Sequence, residues 1–309
     1  MTRRHLLQHG IALAGAAVAA TACAGPLTAP AGADVPYLFV HGAWHGSQCW
    51  NRVLGAMAGL GRRVHAIDLP GAGLNARFPR SYLLQDLAAL RTEASPLKDL
   101  GLQAYEDALV ADIRSIARDG KVVLVAHSFG GCVATRAAEV VPERIHRLVY
   151  LTAFANVARP SLVDYASLPE GASAKVGPTQ IGNPAVTGAV RINNRSSDPE
   201  AVERARLAFY NDVPTERYLP FAASLVPDVP LKAFTDDARG SLQRWGRLPR
   251  SYIRCTLDQA IPIALQDRII AEADAATPGN RFDVHTLASS HSPFASMPLE
   301  LAAMLAKLA

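Results

Sequence analysis

The stretch Val122-Val123-Leu124-Val125-Ala126-His127-Ser128-Phe129-Gly130-Gly131-Cys132 limits what this chain can fold into more than any other part of it. A short, continuous apolar run rich in valine reads as a strand buried on both faces, the kind found in parallel sheets. The run ends at Ser128, and two glycines open an amphipathic stretch that continues to Val140. The chain therefore passes from strand to helix through one tight turn with Ser128 at its apex. Strand and helix approach closely there, so the residues two before and two after the serine must be small. Ala126 and Gly130 meet that requirement, with alanine a mild departure from a strict glycine pattern.

The same alternation of strand and helix runs along the chain from Val35 onward. Strands are predicted at Tyr37–Val40, Val64–Ile67, Val122–Ala126, Leu148–Leu151, Tyr252–Cys255 and Phe282–Leu287. Helices are predicted near Cys49–Ala58, Tyr105–Arg118, Gly131–Val140, Ile263–Ala273 and Leu299–Leu308. This is the pattern of an α/β fold, a mostly parallel sheet flanked by helices. The alternation stops after Leu151. From about Phe154 to Leu248 the chain is rich in Pro, Asn, Ser and Ala, with one good helix at Pro199–Tyr210 and no convincing strand. So long a stretch is no ordinary loop, and a helical cap inserted over the sheet is the expectation. Ala76 to Gly101 is also long for a strand-to-helix connection and is expected to join the rim of the site. The 309 residues, half of them apolar and 19% charged, suit one domain over residues 35–309 with a large core.

A serine hydroxyl is a poor nucleophile at neutral pH and needs a base, itself oriented by a third group. After an elbow of this kind the acid and then the histidine follow in the chain. Of the nine histidines, only His285 and His291 lie late enough. His285 falls within the last predicted strand, as one rung of a ladder. His291 sits in Ser289-Ser290-His291-Ser292-Pro293, a loop between that strand and the terminal helix, and is the expected base. Asp258 follows the strand ending at Cys255 by three residues and is the expected acid. The slot after Leu151 holds Thr152-Ala153-Phe154-Ala155-Asn156 and no acid, while Asp267 and Asp274 belong to a predicted helix, where a solvated face explains them.

His41-Gly42-Ala43-Trp44-His45-Gly46 follows the first strong strand. A loop in this place offers one backbone N–H to a developing oxyanion, and the residue after the nucleophile offers the other. Ala43 and Phe129 are the expected donors. His41 and His45 stand four apart, as a zinc pair can, but neither a helix nor a third ligand accompanies them, so the reading requires no metal and no cofactor.

Arg3-Arg4 precedes an uncharged, alanine-rich run from Gly10 to Ala22 that is too short to span a bilayer. A charged start, short apolar centre and small-residue exit make an export signal, and the paired arginines resemble a twin-arginine address. Ala20-Thr21-Ala22-Cys23 resembles a lipobox, in which Cys23 would carry lipid and hold the protein to a membrane. Ordinary cleavage before Asp34 is the other outcome, and both stay open. Either places the mature protein in the periplasm or outside the cell. The formal charge of +4 falls to about +2 without Arg3 and Arg4, and there is no basic stripe, so no nucleic-acid partner is expected. Cys49, Cys132 and Cys255 show no paired spacing and read as small buried side chains, with a disulfide among them the lesser alternative.

Taken together, the first loop with Trp50 behind it, Asp68-Leu69-Pro70-Gly71-Ala72-Gly73, the elbow, Cys255-Thr256-Leu257-Asp258-Gln259-Ala260-Ile261-Pro262 and Ser290-His291-Ser292-Pro293-Phe294 resemble the plant methylesterase and hydroxynitrile lyase family of α/β-hydrolases, with its bacterial esterase relatives. The resemblance runs from about Val35 to the C-terminus. It implies a Ser128–His291–Asp258 triad, oxyanion donors at Ala43 and Phe129, and hydrolysis of a small apolar ester through an acyl-enzyme. The leader and the longer Ala76–Gly101 stretch depart from the plant enzymes and point to a secreted bacterial relative. Two rivals remain: a hydroxynitrile lyase using the same triad as a base, and a non-catalytic ligand-binding lipoprotein of the same fold. The intact triad argues against the second. Against the first, the resemblance places Gly42 and Ser292 where the plant lyases carry a threonine and a lysine.

Overall fold

In a computed structural model, residues 35–308 are described; the expected export signal, Cys23 and the expected cleavage before Asp34 lie outside the described residues. The chain forms β1 (Tyr37–Val40), β2 (Val64–Ile67), β3 (Val122–His127) and β4 (Ile145–Leu151), leaves the sheet, then returns through β7 (Arg250–Cys255) and β8 (Asp283–Leu287). Between β4 and β7 lie β5 (Ala189–Arg191) and β6 (Asp228–Pro230), which pair with each other alone. The main sheet has the order β2-β1-β3-β4-β7-β8, and every neighbouring pair is parallel. Parallel neighbours need crossovers, and helices at Asn51–Gly59, Leu102–Ala117, Gly130–Val140 and Ile263–Ala276 supply them. Burial follows position in the sheet: all of β1 and β3 are inaccessible, whereas the edge strand β8 is largely exposed.

Three strand starts differ from the sequence expectation, that of β8 by a single residue, at Asp283 rather than Phe282. β4 begins at Ile145 rather than Leu148, and β7 at Arg250 rather than Tyr252. In both, polar residues such as Arg147 and Arg250 interrupt the apolar run while their backbones still pair, and His146 sits at an irregularity in the β3–β4 register. The insertion between β4 and β7 holds the expected helix at Pro199–Phe209 and a second at Thr215–Ser224, which Pro220 hides from a periodicity reading. It also holds the β5–β6 ribbon. Three residues per strand are too few for an alternating signal. Arg191 and Asp228 face each other across it, both fully buried, with Arg191 Nε and Nη2 donating to the two carboxylate oxygens at 2.6 and 2.7 Å. Such a two-point pair is worth keeping only with its remaining donors satisfied. Arg191 Nη1 completes the set by donating to the carbonyls of Leu90 and Glu93 at 2.6 and 2.9 Å. Cys49, Cys132 and Cys255 are buried free thiols, as small core side chains.

Candidate active site

In a parallel sheet the carboxyl ends of all strands open on one edge, where loops can converge. The loop after β1 carries Ala43, the turn after β3 carries Ser128 and Phe129, the residue after β4 is Thr152, and the loops after β7 and β8 carry Asp258 and His291. Three non-glycine residues at these strand ends have left-handed backbones: Trp44 (φ 62°), Ser128 (φ 55°) and Thr152 (φ 36°). Left-handed backbone is costly for side chains with a Cβ, most of all a branched one, and such strain gathers where geometry serves chemistry.

Two glycines let the pieces approach. A Cβ on Gly130 would lie 2.6 Å from the His41 carbonyl oxygen, so the helix after Ser128 could not pass the first loop. A Cβ on Gly42 would lie 2.7 Å from His127 Nδ1 and 2.8 Å from Ser128 Cβ. The first loop therefore rests directly on the serine turn.

The structure brings Asp258 and His291 together: Nδ1 of the imidazole donates to Oδ2 of the carboxylate at 2.7 Å, with both side chains buried. That bond fixes the tautomer and leaves Nε2 as the basic nitrogen. The other carboxylate oxygen accepts from the backbone N–H groups of Ala260 and Ile261 at 2.6 and 2.9 Å, and Thr152 Oγ1 donates to Oδ2 at 2.5 Å. The alternative acids are engaged elsewhere. Asp267 pairs with Arg254 at 2.6 Å, and Asp274 accepts from the Phe282 N–H at 2.8 Å. His285 lies on β8, within 3.0 Å of Asp283.

Ser128 and His291 lie on the wall of one cavity of about 440 Å³ together with Ala43 and Phe129. No hydrogen bond within the described residues uses the backbone N–H of Ala43 or Phe129, which leaves both available to an oxygen in the cavity. The rest of the wall comes from Trp44, Phe154, Leu162, Phe209 and Phe234 with further small apolar residues, and Gln180 is its one other hydrophilic side chain among the described residues. None of residues 76–101 lines this cavity. The expectation that they join the rim is corrected: Arg191 holds that segment against the β5–β6 ribbon instead.

Behind the wall lie His41, His45 and His127, all buried. His41 Nδ1 donates to the Gly42 carbonyl at 2.8 Å while Nε2 accepts from the Leu69 N–H at 3.1 Å. His45 Nδ1 donates to the Ala43 carbonyl at 2.7 Å, and Nε2 accepts from the Tyr210 hydroxyl at 2.6 Å. His127 Nε2 donates to the backbone carbonyl of His291 at 2.8 Å, and its ring centroid lies 4.5 Å from that of His291. Burial lowers the pKa of all three, that of His45 to about 3, and the neighbouring His291 and His45 push His127 further down. These are neutral hydrogen-bonding rings that shape the loops around the serine. Sequence reading missed this use of them, as it missed Thr152. Thr152 had a signal, since it occupies the strand-end slot where this architecture can place an acid.

Residues 37–304 match the model of the Alpha/beta hydrolase family. Methylesterase 18 of Arabidopsis thaliana is 30% identical over 276 residues, which cover 86% of this chain and 93% of that protein. Putative methylesterase 11, chloroplastic, of the same plant is 26% identical over 277 residues; these cover 88% of this chain and 63% of that longer protein. Among solved structures, a pyrethroid hydrolase from Sphingobium faniae JZ-2 matches with a TM-score of 0.68 at 24% identity, covering 89% of this chain and 96% of the other, a likeness of fold. The chain belongs to the alpha/beta hydrolase family and is a carboxylic ester hydrolase related to the plant methylesterases.

Proposed function

We propose that hydrolysis runs through an acyl-enzyme on Ser128. His291 Nε2 takes the hydroxyl proton as Oγ attacks the ester carbonyl, and Asp258 steadies the imidazolium that forms. The amides of Ala43 and Phe129 hold the oxyanion. The imidazolium then protonates the leaving alcohol, and water, deprotonated by the same ring, releases the acid. No metal or cofactor takes part in these steps.

The observation that carries this reading is the shared cavity: Ser128 and His291 are reactive groups on a wall that is apolar apart from them and Gln180, with Asp258 on the far nitrogen of the imidazole. The same wall supports a substrate class. It offers no cation to a carboxylate and no acid to an amine, and an unpaired charge is expensive to bury. The substrate is a neutral ester with apolar acyl or alcohol parts, and the insertion from Phe154 to Leu248 is its cap, contributing Leu162, Phe209 and Phe234 to the wall.

Rates on p-nitrophenyl esters of graded chain length, each compared with an analogue bearing a terminal carboxylate, test this. We expect the neutral member of each pair to have a kcat/KM at least roughly tenfold higher, since burying an unpaired charge costs several kcal/mol. Preference for the charged analogues would sink the proposal. We also propose that the protein is exported, supported by Arg3-Arg4 and the short apolar run behind it, with Cys23 either lipidated or removed.

A further inference from the structure

His291 is set on a buried loop, and two of the hydrogen bonds that hold this loop come from distant parts of the chain. His127, next to the nucleophile, donates to the His291 carbonyl at 2.8 Å. The other comes from the insertion: the backbone N–H of Ser290, a fully buried residue, donates to Oδ2 of Asp212 at 2.9 Å. Asp212 stands between the helices Pro199–Phe209 and Thr215–Ser224, 78 residues away in sequence. Its immediate neighbours also reach the site. The Phe209 ring lies 5.9 Å from the His291 ring and lines the cavity, and the Tyr210 hydroxyl donates to His45 in the first loop. One short piece of the insertion thus touches the base, the loop that carries it and the loop that offers Ala43.

Asp212 has a second unusual feature. Its Oδ1 is buried without a hydrogen-bond partner. A dry carboxylate oxygen is unfavourable, and each such atom in a native fold calls for a reason. The reason visible here is the other oxygen: a carboxylate makes a stronger hydrogen bond to a backbone N–H than a neutral acceptor does. The strength is spent next to the base, not on the cavity wall, which Asp212 does not line.

We propose that Asp212 is a positioning residue for ester hydrolysis: by accepting the Ser290 N–H, it seats the His291 loop from the insertion side and sets the base against Ser128. The inference rests on Ser128 and His291 acting as nucleophile and base. It gives the insertion a role in turnover beyond walling the pocket.

The test compares Asp212→Ala and Asp212→Asn with the unaltered protein on an activated neutral ester, with kcat expressed per Ser128 site titrated by an organophosphonate. Titration corrects for any misfolded fraction, so a purely structural loss would leave kcat per site unchanged. Asp212→Ala should lower kcat per site roughly ten- to hundredfold, the range seen when outer hydrogen-bond partners of active-site groups are removed, with KM moving less than about threefold. Asp212→Asn keeps an acceptor oxygen and should recover most of that loss. Where Asp212→Ala does not fold, Asp212→Leu fills the space without an acceptor and takes its place. Unchanged kcat per site in the variants lacking the acceptor overturns the proposal, as does an asparagine variant no better than alanine. Ser128→Ala is measured alongside, and turnover surviving there would instead overturn the nucleophile assignment.

Discussion

Thr152 Oγ1 and His291 Nδ1 both donate to the same oxygen of Asp258, at 2.5 and 2.7 Å. With Ala260 and Ile261 holding the other oxygen, the carboxylate accepts four hydrogen bonds and cannot rotate without losing several. Thr152 does this with a φ of 36°, a strained value for a β-branched residue. A hydrogen bond to a charged group contributes about 1.5–3 kcal/mol, so Thr152→Val, equal in shape but lacking the donor, should lower kcat/KM roughly ten- to hundredfold. Steady-state rates on an activated ester check this, and an unchanged kcat/KM would show that Thr152 contributes only packing.

Ser128→Ala should remove ester turnover by a factor on the order of a million, as loss of the nucleophile does in subtilisin, while the fold stays intact. Asp258→Asn should cost less, roughly ten-thousandfold, because it misorients the imidazole and leaves the nucleophile in place. Near-normal rates for Asp258→Asn combined with a dead Asp267→Asn or Asp274→Asn would reassign the acid.

The parts of this site that sequence reading reached are those with local signals. The apolar run Val122–Ala126 and the glycines after Ser128 encode strand, turn and helix within eleven residues. Asp258 and His291 were reachable because each follows a readable strand and the chain order Ser, acid, His restricts the choice. The β5–β6 ribbon was not reachable, since its stability comes from Arg191 and Asp228, 37 residues apart in sequence. Asp212 is the extreme case. Nothing around it distinguishes it from a solvated turn, and only its tertiary contact with Ser290 gives it meaning.

Gly42 is a position on which the choice of hydrolase over lyase rests here. The resemblance places a threonine here in the plant lyases, yet any Cβ at this position would press on Ser128 Cβ and His127 Nδ1. Ser292, after the base, supplies no positive charge for a cyanide ion. The wild type should hydrolyse an activated ester and release no cyanide from mandelonitrile above the buffer rate. Gly42→Thr should reduce ester turnover by at least roughly tenfold, a cost of about 1.4 kcal/mol or more from overpacking against the serine turn. Cyanide release that disappears in Ser128→Ala, without ester turnover by the wild type, would favour the lyase.

Export by the twin-arginine route requires both Arg3 and Arg4 to be read by its receptor. The double variant Arg3→Lys, Arg4→Lys should stay in the cytoplasm of the expressing cell, as fractionation will show. Undiminished export excludes this route. Mass spectrometry of the mature N-terminus distinguishes a lipidated Cys23 from cleavage before Asp34.

The three buried histidines behind the cavity predict how stability responds to pH. His41, His45 and His127 all have pKa values lowered by burial, so in the folded protein they stay neutral where free imidazoles would charge. Above the ordinary imidazole value of about 6.5, both folded and unfolded chains carry them neutral, and they leave stability independent of pH. Below it the unfolded chain takes up protons that the folded chain refuses, so stability falls with pH, for His45 down to about pH 3. His45 then costs about 1.4 kcal/mol at pH 5.5, and His41 and His127 add to the loss in the same direction. Carboxylates with lowered pKa, such as Asp68, act in the same direction but below about pH 4, so the window between pH 7 and 5 belongs to the histidines. Urea unfolding of the leaderless protein at pH 7.5 and 5.5 measures the difference directly. A change below about 1 kcal/mol would mean that these rings accept protons in the folded state, and the neutral hydrogen-bond pattern around the first loop would have to be redrawn.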